Sequence, residues 1–430
     1  MKTVAFHTLG CKVNQYDTQA MLEKFRAAGY EVVPFDTEAD VYVINTCTVT
    51  GTGDKKSLQL TRRLRREHPE SHIILAGCLA QRKGSELLET GARLIIGTQH
   101  RDQVVELLGK AIANGPISAV NELSAATPFE ELTITTQDEH TRATLKIQEG
   151  CNNHCTYCII PSVRGSIRSR SLANIRQETE RLVAAGYTEL VLTGIHLSSY
   201  GKDLGDGSTL LDAIRAVHEV EGVQRIRLGS LEPTIATVEF SQALAAMPKV
   251  CPQFHLALQS GSNTVLARMA RRYNMTMYMQ AVENLRAAFP MAAFTTDVLT
   301  CFPGETEEEY QETRQVIRDV GYAKIHVFPY SPREGTKAAV MPGQLSKAVK
   351  ERRTRELIAL GEETAAAYQA QWVGKTSTVL IEEKIGDVWH GYTPEYIPVT
   401  IADCPACVPG RIVNVRLIAS SAEAMTGEII

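Results

Sequence analysis

The alternation of apolar runs with amphipathic stretches divides the chain into three parts. In residues 1–138, three apolar runs have the length and composition of buried strands, and two helical patterns lie between them. The predicted strands span residues 4–9, 40–45 and 72–76, and the predicted helices span residues 17–28 and 57–67. Strands that alternate with helices predict an open parallel α/β domain.

Residues 139–371 repeat the alternation more regularly. Six apolar runs are typical of strands, at residues 143–148, 189–193, 225–228, 254–258, 294–299 and 324–328, with helical stretches such as 175–185 and 210–220 between them. Because a full barrel has eight such units, the pattern predicts a partial (β/α)6 barrel. The polar, irregular stretch at residues 114–140 is interpreted as the linker between the two domains.

The last part of the chain changes character. Short strand-like runs at residues 376–381, 397–401 and 411–417 are broken by glycine and proline. Such spacing is typical of a small β-barrel. The predicted domains are therefore residues 1–138, 139–371 and 372–430.

Composition places the chain among ordinary globular proteins. Of its 430 residues, 44% are hydrophobic and 22% are charged, and the formal net charge is -4. Because this charge is negative, a nucleic-acid partner has to be bound by local basic patches. We find no signal peptide and no apolar run of the ~18 residues that a membrane span needs, so we expect a cytoplasmic protein without a membrane partner.

The strongest chemical signal among the ten cysteines is one closely spaced triplet. Cys151, Cys155 and Cys158 follow the predicted strand at residues 143–148 with the spacing Cys-x3-Cys-x2-Cys. In a parallel barrel this is the catalytic end of the strand. Three thiolates can bind three irons of a cubane cluster and leave the fourth iron open to a substrate or cofactor. The alternatives are buried thiols or a zinc site, although zinc sites prefer two separated pairs.

Three more cysteines are far apart in the sequence but equivalent in position. Cys11, Cys47 and Cys78 each stand just past the end of a predicted strand. Because the ends of parallel strands share one edge of a sheet, these thiols are predicted to converge on a second three-cysteine cluster. Ordinary buried thiols at strand ends are the alternative.

The remaining cysteines carry weaker signals. Cys251 and Cys301 are interpreted as core thiols. Cys404 and Cys407 form a CxxC pair, a spacing found in redox and zinc sites. Because neither a second pair nor a thioredoxin-like context accompanies them, we predict that they are dispensable.

Together these motifs resemble those of the radical S-adenosylmethionine methylthiotransferases. The resemblance rests on the Cys-x3-Cys-x2-Cys loop and on GCKVNQYD at residues 10–17, NTCTVT at 45–50 and KIQEGC at 146–151. It covers the whole chain, as an N-terminal cluster domain, a radical barrel and a C-terminal TRAM-like barrel. The form of the first motif most resembles the branch that acts on N6-threonylcarbamoyladenosine in transfer RNA (tRNA).

The resemblance implies the cofactors and their ligands. The closely spaced cysteine triplet would hold the [4Fe-4S] cluster whose open iron binds S-adenosylmethionine. The dispersed triplet would hold an auxiliary [4Fe-4S] cluster that carries the sulfur. Further contacts to S-adenosylmethionine are expected, mainly at strand ends, from Tyr157, Gly194, Ser230, Glu232, Gln259 and Asp297.

The implied reaction is methylthiolation of adenosine at C2. Reductive cleavage of S-adenosylmethionine gives a 5′-deoxyadenosyl radical that removes the C2 hydrogen, and a methylated sulfur then joins that carbon. A second S-adenosylmethionine supplies the methyl group. We expect a monomer that acts on adenosine 37 in the tRNA anticodon loop, with an electron donor and a sulfur donor as partners.

Two features depart from the family pattern. Where the family has glycine before Phe-Pro-Gly-Glu, this chain has Cys301, which puts the local backbone in doubt. Residues 372–430 hold four Lys or Arg against seven Asp or Glu, a balance that does not itself indicate RNA binding.

Basic side chains elsewhere are candidates for RNA binding. Arg62, Arg65 and Arg66 share one face of a predicted helix, for which a merely solvated face is the alternative. Three further arginines are candidates for bidentate binding of the threonylcarbamoyl carboxylate, the first two because they follow the cysteine loop. They are Arg164, Arg168 and Arg333.

Three other functions fit parts of the pattern. A methylthiotransferase of this class could act on isopentenyladenosine in tRNA, or on an aspartate of a ribosomal protein. A non-catalytic iron–sulfur scaffold or electron carrier would need four cysteines for each cluster, whereas only three can be assigned to each.

Overall fold

The computed structural model describes residues 2–49, 51–124, 126–136, 141–421 and 423–430. Its N-terminal strands are β1 Thr3–Thr8, β2 Glu31–Val32, β3 Val41–Thr46, β4 His72–Gly77, β5 Leu94–Ile95 and β6 Ile117–Ser118. The helices of this domain are α1 Lys12–Ala27, α2 Gly51–Glu67, α3 Cys78–Lys83 and α4 Val104–Asn114. All six strands are parallel, in the order β2-β1-β3-β4-β5-β6, which confirms the open α/β sheet.

Both faces of this sheet are covered, which explains the nearly continuous apolar runs in its strands. On β3, Val41 and Val43 belong to one apolar core, whereas Tyr42 and Ile44 belong to the core on the other face. A strand buried on both faces has no polar side to alternate with. The three predicted strands are present, and sequence reasoning missed β2, β5 and β6, which have two residues each.

The central domain is a partial barrel. Its strands are β7 Ala143–Glu149, β8 Arg168–Ser169, β9 Glu189–Gly194, β10 Arg225–Leu228, β11 Gln253–His255, β12 Ala293–Thr300 and β13 Lys324–Pro329. Its helices are α5 Ile160–Arg164, α6 Leu172–Ala184, α7 Leu210–His218, α8 Val238–Ala245, α9 Asn263–Arg268, α10 Met275–Ala288, α11 Glu307–Val320 and α12 Lys347–Ala370.

Six of these strands form the predicted parallel array. The pairs β7-β9, β9-β10, β11-β12 and β12-β13 are parallel, and isolated parallel bridges such as Leu231 to Leu256 join the two halves. Strand β8 is a short antiparallel addition to β7. Alternate side chains such as Leu190 and Ile226 pack outward in the helix-covered core. The positions between them therefore face the inside of the barrel, which we call the lumen.

The stretch predicted to be a linker is a packed part of the molecule where it is described. Strand β6 belongs to the N-terminal sheet, and Leu132 and Ile134 are buried in the barrel core. Because this irregular segment is buried, side chains provide hydrogen-bond partners for its backbone groups. Tyr16 Oη donates to the Leu132 carbonyl at 2.6 Å, and Ile134 N donates to Glu178 at 2.7 Å. The predicted boundary between residues 138 and 139 lies outside the described residues.

The C-terminal part is a closed five-stranded β-barrel, as predicted. Its strands, in the order β14-β15-β16-β18-β17, include two that sequence reasoning missed, β15 and β18. They are β14 Thr376–Ile385, β15 Val388–Tyr392, β16 Pro398–Ala402, β17 Ile412–Ser420 and β18 Met425–Ile429. The small barrel is docked on the partial barrel by Arg225, which donates to the Tyr392 carbonyl at 3.0 Å, and by an ion pair between Arg142 and Glu382 at 2.8 Å. None of the described helices is long and apolar enough to cross a membrane.

Candidate active site

Cys11, Cys47 and Cys78 meet at one edge of the N-terminal sheet. They follow β1, β3 and β4, which are adjacent and parallel, so the three strands end side by side. Cys11 is exposed, Cys47 is half-buried and Cys78 is buried. Burial raises the pKa of Cys47 and that of Cys78, and the neighbouring thiols of the triplet raise both pKa values further. The three predicted ligands are therefore close enough for their charges to affect one another's pKa.

Glycine and asparagine residues of the first motif allow this close approach. Gly10 has φ +111°, and a Cβ atom on it would lie 3.2 Å from Cys47 Sγ, so a larger residue would push the Cys11 loop away. Asn14 Nδ2 donates to the carbonyl oxygen of Thr46 at 3.1 Å. This hydrogen bond ties the start of α1 to the end of β3, immediately before Cys47.

Cys151, Cys155 and Cys158 lie on the loop that leaves the C-terminal end of β7, and all three are half-buried. Gly150 begins the loop with φ +70°, and a Cβ atom on it would lie 1.9 Å from the Ser166 carbonyl oxygen. Only glycine fits this turn. The backbone N–H of Cys158 donates to the Cys155 carbonyl at 3.0 Å, which folds the two cysteines into one turn.

Charged side chains lie beside this loop. Arg271 Nη1 donates to Cys155 Sγ at 3.3 Å, and Arg271 Nη2 lies 3.5 Å from Glu232 Oε1. His196 Nε2 lies 2.9 Å from the other oxygen of Glu232. Burial opposes ionisation of Glu232, but His196 and Arg271 hold the pKa of this carboxyl below its ordinary value. Among the described residues none donates a hydrogen bond to its Oε1, whose ion-pair partner is Arg271 at 3.5 Å, so this oxygen can still accept from a ligand at the cysteine loop.

Three of the other residues predicted to bind S-adenosylmethionine lie at the same end of the barrel. Gly194 ends β9, where a Cβ atom would lie 2.8 Å from Gln148 Cβ. Ser230 follows β10 and is exposed. Tyr157 is half-buried and packs edge-on against Phe302, with the ring centroids 6.3 Å apart.

Gln259 and Asp297 are linked to each other through the backbone. Gln259 N donates to the Asp297 carbonyl at 2.9 Å, and Gln259 has φ +62°, a strained conformation for a residue with a side chain. Asp297 lies in the middle of β12, so its predicted place at a strand end is wrong. Its carboxylate faces the lumen, 3.6 Å from His255 Nε2.

Arg164 lies fully buried between the two cysteine sites. Its Nε donates to Cys78 Sγ at 3.2 Å, and its Nη1 donates to Glu149 at 2.8 Å. Cys78 also packs against Ile159, the residue that follows Cys158. The buried member of the dispersed triplet therefore contacts the segment that follows the cysteine loop, and we call this contact the shared wall of the two triplets.

Buried charges join the N-terminal domain to the barrel at this wall. Asp17 of α1 accepts from Lys146 at 2.5 Å and from Arg164 at 3.2 Å, and it also pairs with Arg101. Glu149 lies 3.1 Å from Lys146 and completes the group. Burial alone would raise the pKa of Asp17, but the three cations hold it below its ordinary value. We call these five residues the interdomain charge network.

Three of the predicted RNA-binding arginines are not available to RNA. Arg164 is fully buried, and Arg168 and Arg333 are each 5% exposed. Arg168 Nη2 donates to the carbonyl of Arg164 at 2.9 Å, and Arg333 pairs with Asp54 at 2.6 Å. The structure contradicts the prediction because folding buries these three side chains away from the surface.

Arg62, Arg65 and Arg66 are exposed and remain predicted RNA contacts. They lie near the C-terminal end of α2, which begins just after Cys47 and runs back along the parallel sheet. RNA bound there would lie far from the cysteine edge. These arginines would therefore contact nucleotides other than the one that reacts.

Each cysteine triplet supplies the thiol donors that a cubane cluster takes. Among the described residues, no three Cys, His, Asp or Glu side chains converge on one ion position. Thiolates of a cubane bind separate irons and do not need such convergence. An arginine N–H points at one sulfur of each triplet, from Arg164 to Cys78 and from Arg271 to Cys155, and such hydrogen bonds tune cluster potentials. Burial raises the pKa of Cys158 to about 12, so iron binding has to displace its proton.

The structure also shows how Cys301 is accommodated where the family has glycine. Cys301 has φ +62°, a conformation that favours glycine. Its backbone N–H donates to Glu305 at 2.7 Å, and Arg353 pairs with the same carboxylate at 2.8 Å. These buried contacts hold the turn in place despite the strain of a side chain.

Cys404 and Cys407 are expected to be dispensable. Their sulfurs lie 3.9 Å apart in the C-terminal barrel, and no third Cys, His, Asp or Glu completes a metal site with them in the described part of the chain. The variant Cys404→Ser, Cys407→Ser should therefore keep its iron content and its turnover in the presence of a reductant. Loss of either, measured beside the unmodified protein, would show that the pair has a chemical role.

Sequence reasoning missed several polar residues of the site. His196 and Arg271 belong to no local motif, so only the folded chain reveals that they meet Glu232. Asn14 stands within the first quoted motif, but its hydrogen bond to another strand is not visible in the sequence.

Comparison with known proteins agrees with this geometry. Residues 3–97 match the family described as "Uncharacterized protein family UPF0004", and residues 145–317 match the "Radical SAM superfamily". The chain is also similar in fold to the radical S-adenosylmethionine methyltransferase TsrM from Kitasatospora setae, with a TM-score of 0.57 and 14% identity over 79% of this chain and 77% of that one.

Curated relatives cover nearly the full length. The threonylcarbamoyladenosine tRNA methylthiotransferase MtaB of Bacillus subtilis is 43% identical over 97% of this chain and 94% of its own. The protein of the same name from Thermotoga maritima is 35% identical over 92% and 91%. The tRNA-2-methylthio-N(6)-dimethylallyladenosine synthase of Frankia alni is 37% identical over 88% of this chain and 77% of its own.

These matches identify the class of enzyme and its cofactors. The chain is a transferase of the radical S-adenosylmethionine class, and its cofactors are S-adenosylmethionine and [4Fe-4S] clusters. The two MtaB proteins are 43% and 35% identical to this chain and match 97% and 92% of its length. The chain therefore belongs to the radical S-adenosylmethionine tRNA methylthiotransferases, in the group of the threonylcarbamoyladenosine tRNA methylthiotransferases.

Proposed function

We propose that this enzyme converts N6-threonylcarbamoyladenosine 37, directly 3′ of the anticodon of tRNA, into its 2-methylthio derivative. The observation that carries the proposal is the shared wall between the two cysteine triplets. Because Cys78 contacts both Arg164 and Ile159, which follow the cysteine loop closely in the chain, the two triplets are neighbours, and one adenine could meet both the source of the radical and the source of the sulfur. The 43% identity with the Bacillus subtilis protein supports this choice of substrate.

We further propose a role for each predicted ligand. Cys151, Cys155 and Cys158 hold the cluster that binds S-adenosylmethionine, and the dispersed triplet holds the auxiliary cluster. When bound, these cofactors supply the radical that takes hydrogen from C2 and the methylated sulfur that replaces it. The proposed contacts to S-adenosylmethionine are Tyr157, Gly194, Ser230, Glu232, Gln259 and Asp297.

The protein's own contribution is to orient the cofactors and to exclude water from the site. Glu232 supports this role because its buried Oε1, which accepts no hydrogen bond from the described residues, suits a cationic amino group, such as that of S-adenosylmethionine. Arg271 restrains both this carboxylate and the Cys155 sulfur, so it couples the position of the cofactor to the position of the cluster. Both residues are held by packed elements, as preorganised sites require.

The nucleotide has to leave the anticodon-loop stack to reach this site. C2 of a stacked adenine is inaccessible, so we propose that the base is flipped into the lumen. Arg62, Arg65 and Arg66 would hold phosphates further along the tRNA. We also propose that the enzyme acts as a cytoplasmic monomer and receives electrons and sulfur from separate donors.

The substrate is tested by offering three molecules to the reconstituted enzyme. They are tRNA with threonylcarbamoyladenosine, tRNA with isopentenyladenosine and an aspartate-bearing ribosomal peptide. We expect the methylthio mass increment on the first alone, because an apolar isopentenyl tail offers no partner to a polar lumen. Polar mismatches of this kind discriminate by ~10⁴-fold. Methylthiolation of either other molecule with the first untouched would disprove the proposed substrate.

A further inference from the structure

The first half of helix α12 has two different faces. Leu357 and Leu360 are buried in the barrel core. A second face carries mostly charged and polar side chains in the i, i+3, i+4, i+7 spacing that places residues on one side of a helix. Six side chains of this face line an open groove of about 820 Å³, and they are Lys347, Lys350, Glu351, Thr354, Arg355 and Ile358.

Two other segments complete the groove. Thr52 of α2 contributes one part of the lining, and residues 329–332, at the end of β13 and just beyond it, contribute another. Lys350 Nζ donates to the Tyr330 carbonyl at 2.7 Å, which holds α12 against the end of that strand. The groove is therefore a built part of the fold, formed where the partial barrel meets the N-terminal domain.

The groove lies next to both cysteine sites. Its lining residue Tyr330 packs against Phe302, with the ring centroids 5.4 Å apart, and Phe302 in turn packs against Tyr157 of the cysteine loop. In the N-terminal domain, Thr52 belongs to the helix that begins shortly after Cys47. A polynucleotide that places one base at the cysteine sites therefore has neighbouring sugars and phosphates close to this groove.

The groove is a basic patch on a chain whose net charge is -4. Its lining has three cations and one carboxylate. The Lys347 side chain is 89% exposed, and its ion pair with Glu351 at 3.6 Å is a weak surface contact. Arg355 is exposed and pairs with no carboxylate in the described part of the chain. Two solvated cations are therefore available to phosphate oxygens.

The other basic side chains considered for RNA do not serve the backbone near the reacting nucleotide. Arg164, Arg168 and Arg333 are buried, and the C-terminal barrel has more acidic than basic residues. The exposed arginines of α2 lie at the far end of that helix, about 15–20 Å from Thr52 at 1.5 Å per residue. Phosphates beside the cysteine sites need cations that are closer.

We propose that this groove binds the sugar-phosphate backbone of the tRNA beside the reacting adenosine. Lys347 and Arg355 bind phosphates, whereas Lys350 holds the groove together. The inference rests on the proposed tRNA substrate but not on the group that adenosine 37 carries, because phosphate contacts do not read the bases. An acidic protein is the other partner that a basic groove could take. RNA is favoured because the groove lies beside the sites that the nucleotide has to reach.

The test measures binding of tRNA to the reconstituted enzyme at several salt concentrations. The variant Lys347→Ala, Arg355→Ala should raise the Kd by about 10-fold at low salt, because two phosphate contacts are lost. The slope of log Kd against log salt should fall by about two, one for each contact. We expect the same loss for tRNA with and without the threonylcarbamoyl group. Lys347→Glu, Arg355→Glu should weaken binding further, because carboxylates repel phosphates.

The matched control is Lys110→Ala, Arg176→Ala, which removes the same two charges from exposed sites on α4 and α6 and should bind tRNA as the wild type does. Iron content and melting temperature show that each variant is folded. Wild-type affinity and salt slope in Lys347→Ala, Arg355→Ala, or an equal loss in the control, would overturn the inference.

A second outcome would also overturn it. If the groove variant binds tRNA normally, loses turnover with a protein electron donor and keeps turnover with dithionite, the groove is a protein-docking surface. Failure of the wild type to bind any tRNA would instead contradict the proposed function.

Discussion

Replacing Cys151, Cys155 and Cys158 by alanine should abolish cleavage of S-adenosylmethionine. An anaerobically reconstituted wild-type chain is expected to bind about eight irons, and the variant about four, because one of two cubane clusters is lost. Without that cluster no open iron remains to bind S-adenosylmethionine. The expected effect is therefore complete loss of cleavage and not a change in KM. The measurements are iron content and the yield of 5′-deoxyadenosine after addition of a reductant.

The matched control is the variant in which Cys11, Cys47 and Cys78 are replaced by alanine. It should also bind about four irons. It should still form 5′-deoxyadenosine but give no methylthiolated tRNA, since only the auxiliary site is removed. Full cleavage by the first variant, or methylthiolation by the second, would contradict the assignment of the two sites.

The variant Asp17→Asn should lower the free energy of unfolding by about 3–5 kcal/mol, the usual cost of breaking a buried ion pair from one side. Asp17 is 2% exposed and faces Lys146, Arg101 and Arg164. Removing its charge leaves three buried cations with too few anions. Chemical denaturation of the reconstituted protein measures the effect.

The same residue predicts an acid dependence. The pKa of Asp17 is held below its ordinary value of 3.8. A lowered folded-state pKa stabilises the protein above the ordinary pKa, and this contribution is lost as the pH falls below it. The stability difference between wild type and Asp17→Asn should therefore shrink as the pH falls below about 4.

Asp36→Asn, at an exposed site of the same domain, should change stability by less than about 0.5 kcal/mol. Equal effects of the two substitutions would rule out the interdomain charge network as a main contact.

The network also bears on catalysis. Lys146 and Glu149 lie on the strand that leads into Cys151, whereas Asp17 follows Cys11 on α1. Buried ion pairs therefore connect the segments that carry the two cysteine sites. We expect a loosened network to shift the two predicted cluster sites relative to each other, and small misplacements of reacting groups are costly.

The sequence by itself determined most of the local elements and singled out the six cysteines that we predict to be cluster ligands. Strands such as β3 and β10 were predicted within one or two residues because burial on one or both faces leaves a clear apolar pattern. The placement of Cys11, Cys47 and Cys78 at one edge followed from parallel topology alone. Short strands such as β5 were missed because two residues carry no periodicity.

Only the tertiary structure decided what the charged side chains do. Arg164 stands directly after the cysteine loop and looked like an RNA contact, but the docking of two domains buried it against Cys78 and Asp17. The sequence shows that a residue is charged, but it does not show whether the side chain is solvated or buried. Its partners come from distant segments, and only the packing of those segments determines whether it binds the protein or a ligand.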